Sequence, residues 1–393
     1  MPYNFDKIIN RNNTNCIKHD AVSGFFGAEN LLPLWVADMD FETPDFIQEA
    51  MQKRLNHPVN GYTYFSDSFY TSFISWMQKR HQYSVKKSWL KVTPGVLTGL
   101  SLAIMDFTKP GEKIIIQPPV YQPFFQLVES SDRVLVENDL IYENGNYKMD
   151  FDGLESCIDD ETKMIIISNP HNPIGRVWTK EELTKLVEIC ERHNIIILAD
   201  EIHSDIIFAP NIYTPIASIS EYAKNNSVTF VAPSKTFNIA GLSTSLVIIP
   251  NEDKHKEFSA LASRFHVFGA SVFGSVACEA AYTHGGEWLD QLLVYLKANV
   301  EMVKSYLFKH LPSVKVVEPE GTYLLWLDFS TFNLNDEKLN RILIEEAEVA
   351  LNKGITFGKN GANFMRLNIG SPQAIILDGL ERIVSALKRY ERV

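Results

Sequence analysis

The chain has 393 residues, too many for one ordinary hydrophobic core, so two domains are expected. It is 45% hydrophobic and 22% charged, the balance of a water-soluble globular protein. Its 37 basic and 48 acidic side chains give a net charge of −11, which disfavours nucleic acid and anionic membrane surfaces as partners.

Cys16, Cys157, Cys190 and Cys278 stand far apart and form no C-x-x-C pair. They read as reduced thiols, and no metal site is expected from them. No segment approaches the ~20 apolar residues that cross a bilayer, and the start, Met1 to Asp6, has no basic stretch followed by an apolar one. A cytoplasmic location is the expectation.

From Leu90 onward, short apolar runs alternate with helical patterns. Leu90 to Thr93 reads as a strand, and Pro94-Gly95-Val96-Leu97 then opens a helix. A glycine turn into a helix N-terminus presents free backbone N–H groups, which suits a phosphate, although conformation alone also explains the glycine. Lys113 to Gln117 reads as the next strand, and Pro118-Pro119-Val120-Tyr121 follows it. The rigid turn delivers the Tyr121 ring to the strand end, where it either packs in the core or stacks on a flat ligand.

Met164 to Ser168 is a third strand. The two prolines of Asn169-Pro170-His171-Asn172-Pro173-Ile174-Gly175 fix a polar loop in which Asn172 can aim an amide at a ligand. A helix follows from Thr179, whose side chain can cap it with Glu182 completing the box. Ile195 to Asp200 is the fourth strand and runs into Glu201-Ile202-His203. An acid ending a buried strand needs a partner. A metal site is the competing reading there, disfavoured because Glu201 points away from Asp200 on an extended segment. Val228 to Ala232 leads to Pro233-Ser234-Lys235, and Leu246 to Pro250 is a further strand. A lysine after a buried strand is costly as a cation and useful if its pKa falls or it forms an imine.

Such a series predicts a mostly parallel α/β sheet, with ligands bound beyond the C-terminal ends of its strands. The C-terminal part reads differently. A helix is expected over Trp288 to His310, strands over Val314 to Val317 and Tyr323 to Asp328, and a helix from about Asp336 to Lys353. The strand Phe364 to Ile369 and a closing helix finish the chain. The predicted division is a large domain over 51–288 and a smaller α+β domain from 1–50 and 289–393.

The motifs at Asn169 to Gly175, Asp200 to His203, Ser234-Lys235 and Phe364-Met365-Arg366-Leu367-Asn368 resemble the fold-type I pyridoxal phosphate enzymes of the class I/II aminotransferase kind. Trp35-Val36-Ala37-Asp38-Met39-Asp40-Phe41, Asn60-Gly61-Tyr62-Thr63 and Ser234 to Leu242 are most similar to the MalY/PatB-type cystathionine β-lyases. That resemblance implies a three-layer, mostly parallel large domain with a smaller α+β domain. It implies pyridoxal 5'-phosphate as a Schiff base on Lys235, Asp200 on the pyridinium nitrogen, Tyr121 stacked on the ring and Asn172 on the ring hydroxyl. Ser234 and the backbone of Val96 and Leu97 would hold the phosphate. Tyr62 would reach the phosphate of a neighbouring subunit, so a homodimer with shared sites is implied. Arg366 would grip the substrate carboxylate, with Ala37, Tyr121 and Asn172 beside the substrate.

The chain departs from the common aminotransferase pattern in three places. Leu242-Ser243 stands where a G-x-R cation is usual, His203 where a tyrosine is usual near the cofactor hydroxyl, and Ala37 where a glycine is usual. These departures favour carbon–sulfur β-elimination from L-cystathionine, L-cysteine or related S-conjugates. The alternatives are an aminotransferase and a regulatory pyridoxal phosphate protein acting through a protein partner.

Overall fold

The computed structural model describes residues 3–391, so the first two residues of the Met1 to Asp6 stretch lie outside it. Seven strands form one sheet in the order Leu90–Thr93, Ser245–Ile248, Ser227–Val231, Ile196–Asp200, Thr162–Ser168, Lys113–Ile116 and Val134–Glu137. Five of these had been expected from their apolar runs nearly as observed, and Leu90–Thr93 as observed. The strand Val134–Glu137 was not foreseen, because at the sheet edge it is half-exposed and its apolar run stops after three residues between Arg133 and Glu137. All neighbours run parallel except Ser245–Ile248, which is antiparallel to both strands beside it.

Isoleucines fill the central strands: Ile114, Ile115, Ile116, Ile165, Ile166 and Ile197 are all buried. Each such side chain contributes about 1.5–3 kcal/mol of burial. Both faces are covered, one by a cluster around Leu100, Phe124 and Phe230, the other by one around Trp178, Leu186 and Val187. The helix Lys180–Arg192 starts with the expected Thr179–Glu182 capping box.

A second sheet of four strands takes the order Lys315–Val316, Leu324–Asp328, Phe364–Asn368 and Asn352–Lys353. The helix expected over 336–353 ends at Glu345. Glu348 adopts a left-handed φ of 52°, and the chain turns there into the short strands Val349–Ala350 and Asn352–Lys353. The apolar residues that seemed to extend the helix, Val349 to Leu351, are buried as extended chain instead. The helix Gly286–His310 packs against the closing helix Gln373–Leu387. One apolar cluster runs from Phe73 and Trp76 through Trp288 and Leu296 to Leu325 and Leu367. Among the described residues no helix is long and apolar enough to cross a membrane.

Candidate functional site

Ser168 pairs with Asp200, and Asp200 with Phe230, so the C-terminal ends of three neighbouring parallel strands lie side by side. The Asp200 carboxylate is buried and accepts the Ile202 amide at 3.2 Å. Burial pushes its carboxyl up to about 6, against the opposing pull of Ile202 and Lys235. Lys235 sits in the short helix Pro233–Thr236 that follows the next strand, with the half-buried Ser234 beside it. Its Nζ donates to the Ala37 carbonyl at 2.6 Å. Desolvation lowers this ammonium to about 8, although Asp38 acts in the opposite sense.

Asn172 and Arg366 come from different sheets and meet here. Arg366 Nη1 donates to Asn172 Oδ1 at 2.9 Å, and Nη2 donates to Asn352 Oδ1 at 2.7 Å and to the Trp35 carbonyl at 3.0 Å. Its Nε is buried with no protein partner, and the guanidinium lies 5.0 Å from the Phe357 ring centroid. Burial lowers Arg366 to about 10, which the Tyr121 and Tyr323 phenols partly offset.

The Tyr121 ring meets Phe124 edge-on at 5.8 Å, and its phenol is raised by burial and then by Asp200. His203 is buried edge-on against Tyr323 at 5.9 Å. Its Nδ1 has no protein partner, and burial, with Lys235 and Arg366 nearby, keeps the ring neutral. Gly95, at a φ of +124°, turns the chain into the helix Val96–Phe107. The first backbone N–H groups of that helix, at Val96 and Leu97, have no intrahelical acceptor. Gly99 lets the helix lie tight on the sheet, since a Cβ there would meet the Phe230 ring at 2.8 Å. Tyr62 is the exception among the expected residues: it is fully exposed, and none of the described residues of its own chain covers it.

Several neighbours went unread in the sequence. Tyr323 donates to the Ala37 carbonyl at 3.0 Å. Asn238 accepts from the Met39 amide and donates to the Met39 and Phe41 carbonyls. Asn368 donates to the Val36 and Asp38 carbonyls. Behind the strand end, Asp205 accepts from Trp76, His81 and Thr236, the last being the residue after Lys235. Glu201 does point away from Asp200, accepting the Tyr213 hydroxyl and the Ile216 amide. Asn238 and Asn368 lie inside quoted motifs, and polar side chains in otherwise apolar runs were the available signal. Nothing local marks Tyr323.

The chain matches the family described as aminotransferase class I and II over residues 29–383, and it belongs to that family. It is 43% identical to the cystathionine beta-lyase PatB of Bacillus subtilis, over 98% of this chain and 100% of that protein. It is 32% identical to the protein MalY of Escherichia coli, over 98% of this chain and 99% of that one. Within the family it therefore falls in the branch that holds PatB and MalY. Cystalysin from Treponema denticola, solved with a pyridoxal 5'-phosphate cofactor, superposes with a TM-score of 0.95 at 35% identity, covering 100% of both chains.

Proposed function

We propose that the protein is a pyridoxal-phosphate-dependent carbon–sulfur β-lyase that converts L-cystathionine, L-cysteine and related S-conjugates to pyruvate, ammonia and a thiol or hydrogen sulfide. The observation that carries the reading is the meeting of Lys235, Asp200, Asn172 and Arg366 beyond the C-terminal ends of neighbouring strands, in a chain whose full-length relatives include a cystathionine beta-lyase.

The chain's own unsatisfied groups fit that cofactor. Asp200 is a desolvated carboxylate whose burial a cationic ring nitrogen would offset. With its Oδ1 taken by Arg366, Asn172 has its amide NH2 to offer a ring hydroxyl, and the unpartnered His203 Nδ1 is close at hand. Ser234 and the Val96 and Leu97 amides supply donors of the type a phosphate requires. Lys235 would hold the cofactor covalently, and Tyr121 would cover its ring.

Bound there, pyridoxal phosphate supplies the electron sink for negative charge left at the substrate Cα. Arg366 holds the substrate carboxylate with its planar fork, beside Ala37, Tyr121 and Asn172. That grip fixes the direction of the Cα–H bond. Lys235, lowered to about 8, is readily neutral and takes the Cα proton as general base. Asp200 would pair as a carboxylate with the protonated ring nitrogen. The β-sulfur departs as a thiolate, a leaving group whose conjugate acid has a pKa of about 8.5. The three-carbon enamine that is released hydrolyses to pyruvate and ammonia.

Exposed Tyr62 and Tyr64, on the extended stretch before Asp67, support a homodimer in which Tyr62 serves the neighbouring site. Mixed dimers of Tyr62→Ala and Lys235→Ala chains should then regain activity that neither parent has. The division at 51–288 and the cytoplasmic setting belong to this same reading. The deciding assay is pyruvate and free thiol from L-cystathionine with no keto acid present. Turnover that appears only when a keto acid is added identifies an aminotransferase instead.

A further inference from the structure

The segment Trp35–Phe41 touches the site through its backbone. Its carbonyls receive Arg366 at Trp35, Asn368 at Val36 and Asp38, and both Lys235 and Tyr323 at Ala37. No strand or helix holds residues 35–41 in place. The side chains of Trp35, Met39 and Phe41 are buried, Asn238 bonds the Met39 and Phe41 backbone, and charge holds Asp38 and Asp40 from the other side.

Arg11 Nη2 donates to Asp38 Oδ2 at 2.6 Å, and its Nη1 reaches Asp38 Oδ1 at 3.1 Å and Asp40 Oδ1 at 2.7 Å. Nη1 also donates to the Met39 carbonyl at 3.2 Å. Lys18 is fully buried, with Nζ 2.6 Å from Asp40 Oδ2 and 3.7 Å from Asp38 Oδ1. Asp40 further accepts the Ser371 hydroxyl, and His19 Nε2 lies 3.4 Å away. Burial alone would raise the Asp40 carboxyl, but Lys18, His19 and Ser371 outweigh it and hold it ionised. Lys18 and Asp40 are thus desolvated, and Arg11 and Asp38 partly so, on a segment that the buried side chains of Trp35, Met39 and Phe41 already anchor. What the fork geometry adds over apolar contact is a fixed backbone position.

We propose that Arg11 and Lys18 are positioning residues for Lys235: by clamping Asp38 and Asp40 they keep the Ala37 carbonyl where it receives the Lys235 amine. The inference rests on the cofactor reading above only for one of its two readouts. The charged groups bearing on the Lys235 amine are Asp38 from this segment and Asp200 and Arg366 from the two sheets. His203 and Tyr323 face the site as neutral groups. A shift of the 35–41 backbone therefore changes both the acceptor and a carboxylate, Asp38, that bears on the amine.

The test uses Arg11→Met, which keeps an apolar stem and removes the fork, with Arg11→Lys as the conservative variant. The first readout is amide hydrogen exchange of residues 35–41 in protein without added cofactor. The second is the pH midpoint of the visible absorbance band after loading with pyridoxal phosphate. In Arg11→Met, exchange should accelerate by about tenfold or more. The absorbance midpoint should move as well, with Arg11→Lys intermediate in both. Faster exchange with an unmoved midpoint would reduce the clamp to a structural tie and overturn the proposal. Unchanged exchange overturns it too. If Arg11→Met does not fold, Ser371→Ala removes one donor to Asp40 without touching charge and should move both readouts in the same direction by less. An unaltered protein that takes up no pyridoxal phosphate sinks the cofactor reading, whereas failure of the variants alone sinks only the clamp.

Discussion

Arg366 and Asn172 lie 194 residues apart in sequence and meet at 2.9 Å, guanidinium to amide oxygen. One comes from the four-stranded sheet and the other from a loop of the seven-stranded sheet. The bond fixes both at once: it commits the Asn172 oxygen, and it holds Arg366 with Nε still unengaged. A carboxylate gripped by Arg366 is therefore registered against whatever Asn172 touches.

Replacing Arg366 by lysine keeps the charge and loses the fork. A charge-assisted hydrogen bond is worth about 1.5–3 kcal/mol, so KM for L-cystathionine should rise about 10- to 100-fold, with a smaller effect on kcat. Steady-state kinetics of pyruvate release checks this. An unchanged KM would remove Arg366 from the substrate site.

Lys235→Ala removes the proposed base and the covalent anchor together. Pyruvate formation should drop by about 10³-fold or more. Circular dichroism should match that of the unaltered protein, because Lys235 makes its hydrogen bond to a loop carbonyl, outside either sheet. Borohydride reduction, followed by peptide mass analysis, should locate the cofactor at residue 235 in the unaltered chain only.

Asp200→Asn separates binding from stability. In the protein without cofactor, the carboxylate is buried at a cost, and its neutral amide should raise the unfolding temperature at pH 8. With cofactor, turnover should fall by about 10² or more, the scale of losing one aimed electrostatic partner. The two effects of opposite sign are measured by thermal melts and by the pyruvate assay.

Asp200 and its neighbour Glu201 also set a pH dependence of folding. Burial is the main cause that raises Asp200 to about 6 and Glu201 to about 8. Both ionise near 4 when unfolded, so from about pH 4 to 8 the folded chain binds more protons than the unfolded chain. Stability from these two groups is full below their unfolded pKa values and is lost as pH rises through 6 and then through 8. Glu201→Gln can still accept from the Ile216 amide while dropping the charge. Denaturant unfolding between pH 5 and 8 should show a flatter slope in this variant, and an unchanged slope would assign the dependence elsewhere.

His203 is held neutral beside Tyr323, with a ring nitrogen free to meet a ligand. His203→Phe keeps the aromatic packing and removes that nitrogen. The pH midpoint of the bound cofactor's absorbance should shift, and a constant midpoint would leave His203 a packing residue.

The strand ends were legible because each carries its signal locally. An apolar run stops, and a Gly, Pro, Asp or Lys stands at the break, as at Gly95, Pro118, Asp200 and Lys235. The end of the helix at Glu345 was not legible, since the apolar pattern continued unbroken past the left-handed turn at Glu348. Asp38 and Asp40 were visible as a motif, yet their partner Arg11 lies in irregular chain and Lys18 in the four-residue helix Ile17–Asp20, too short for a periodicity to announce a contact. Tyr62 was expected at a second subunit's site and is exposed on its own chain.

The segment at 35–41 has a consequence for synthesis on the ribosome. Its amide at Asp40 donates to the Gly370 carbonyl, and its Val36 carbonyl accepts from Asn368. A nascent chain can have finished the whole seven-stranded sheet, with Lys235 and Asn238 in place, and still lack the partners that Tyr323, Arg366, Asn368 and Gly370 give this early segment. Only when residues 366–371 emerge from the exit tunnel does the segment 35–41 gain its second set of anchors over the lysine. Competence to hold an amino acid therefore arrives at the end of translation, and truncated chains would carry the lysine without the walls that aim it.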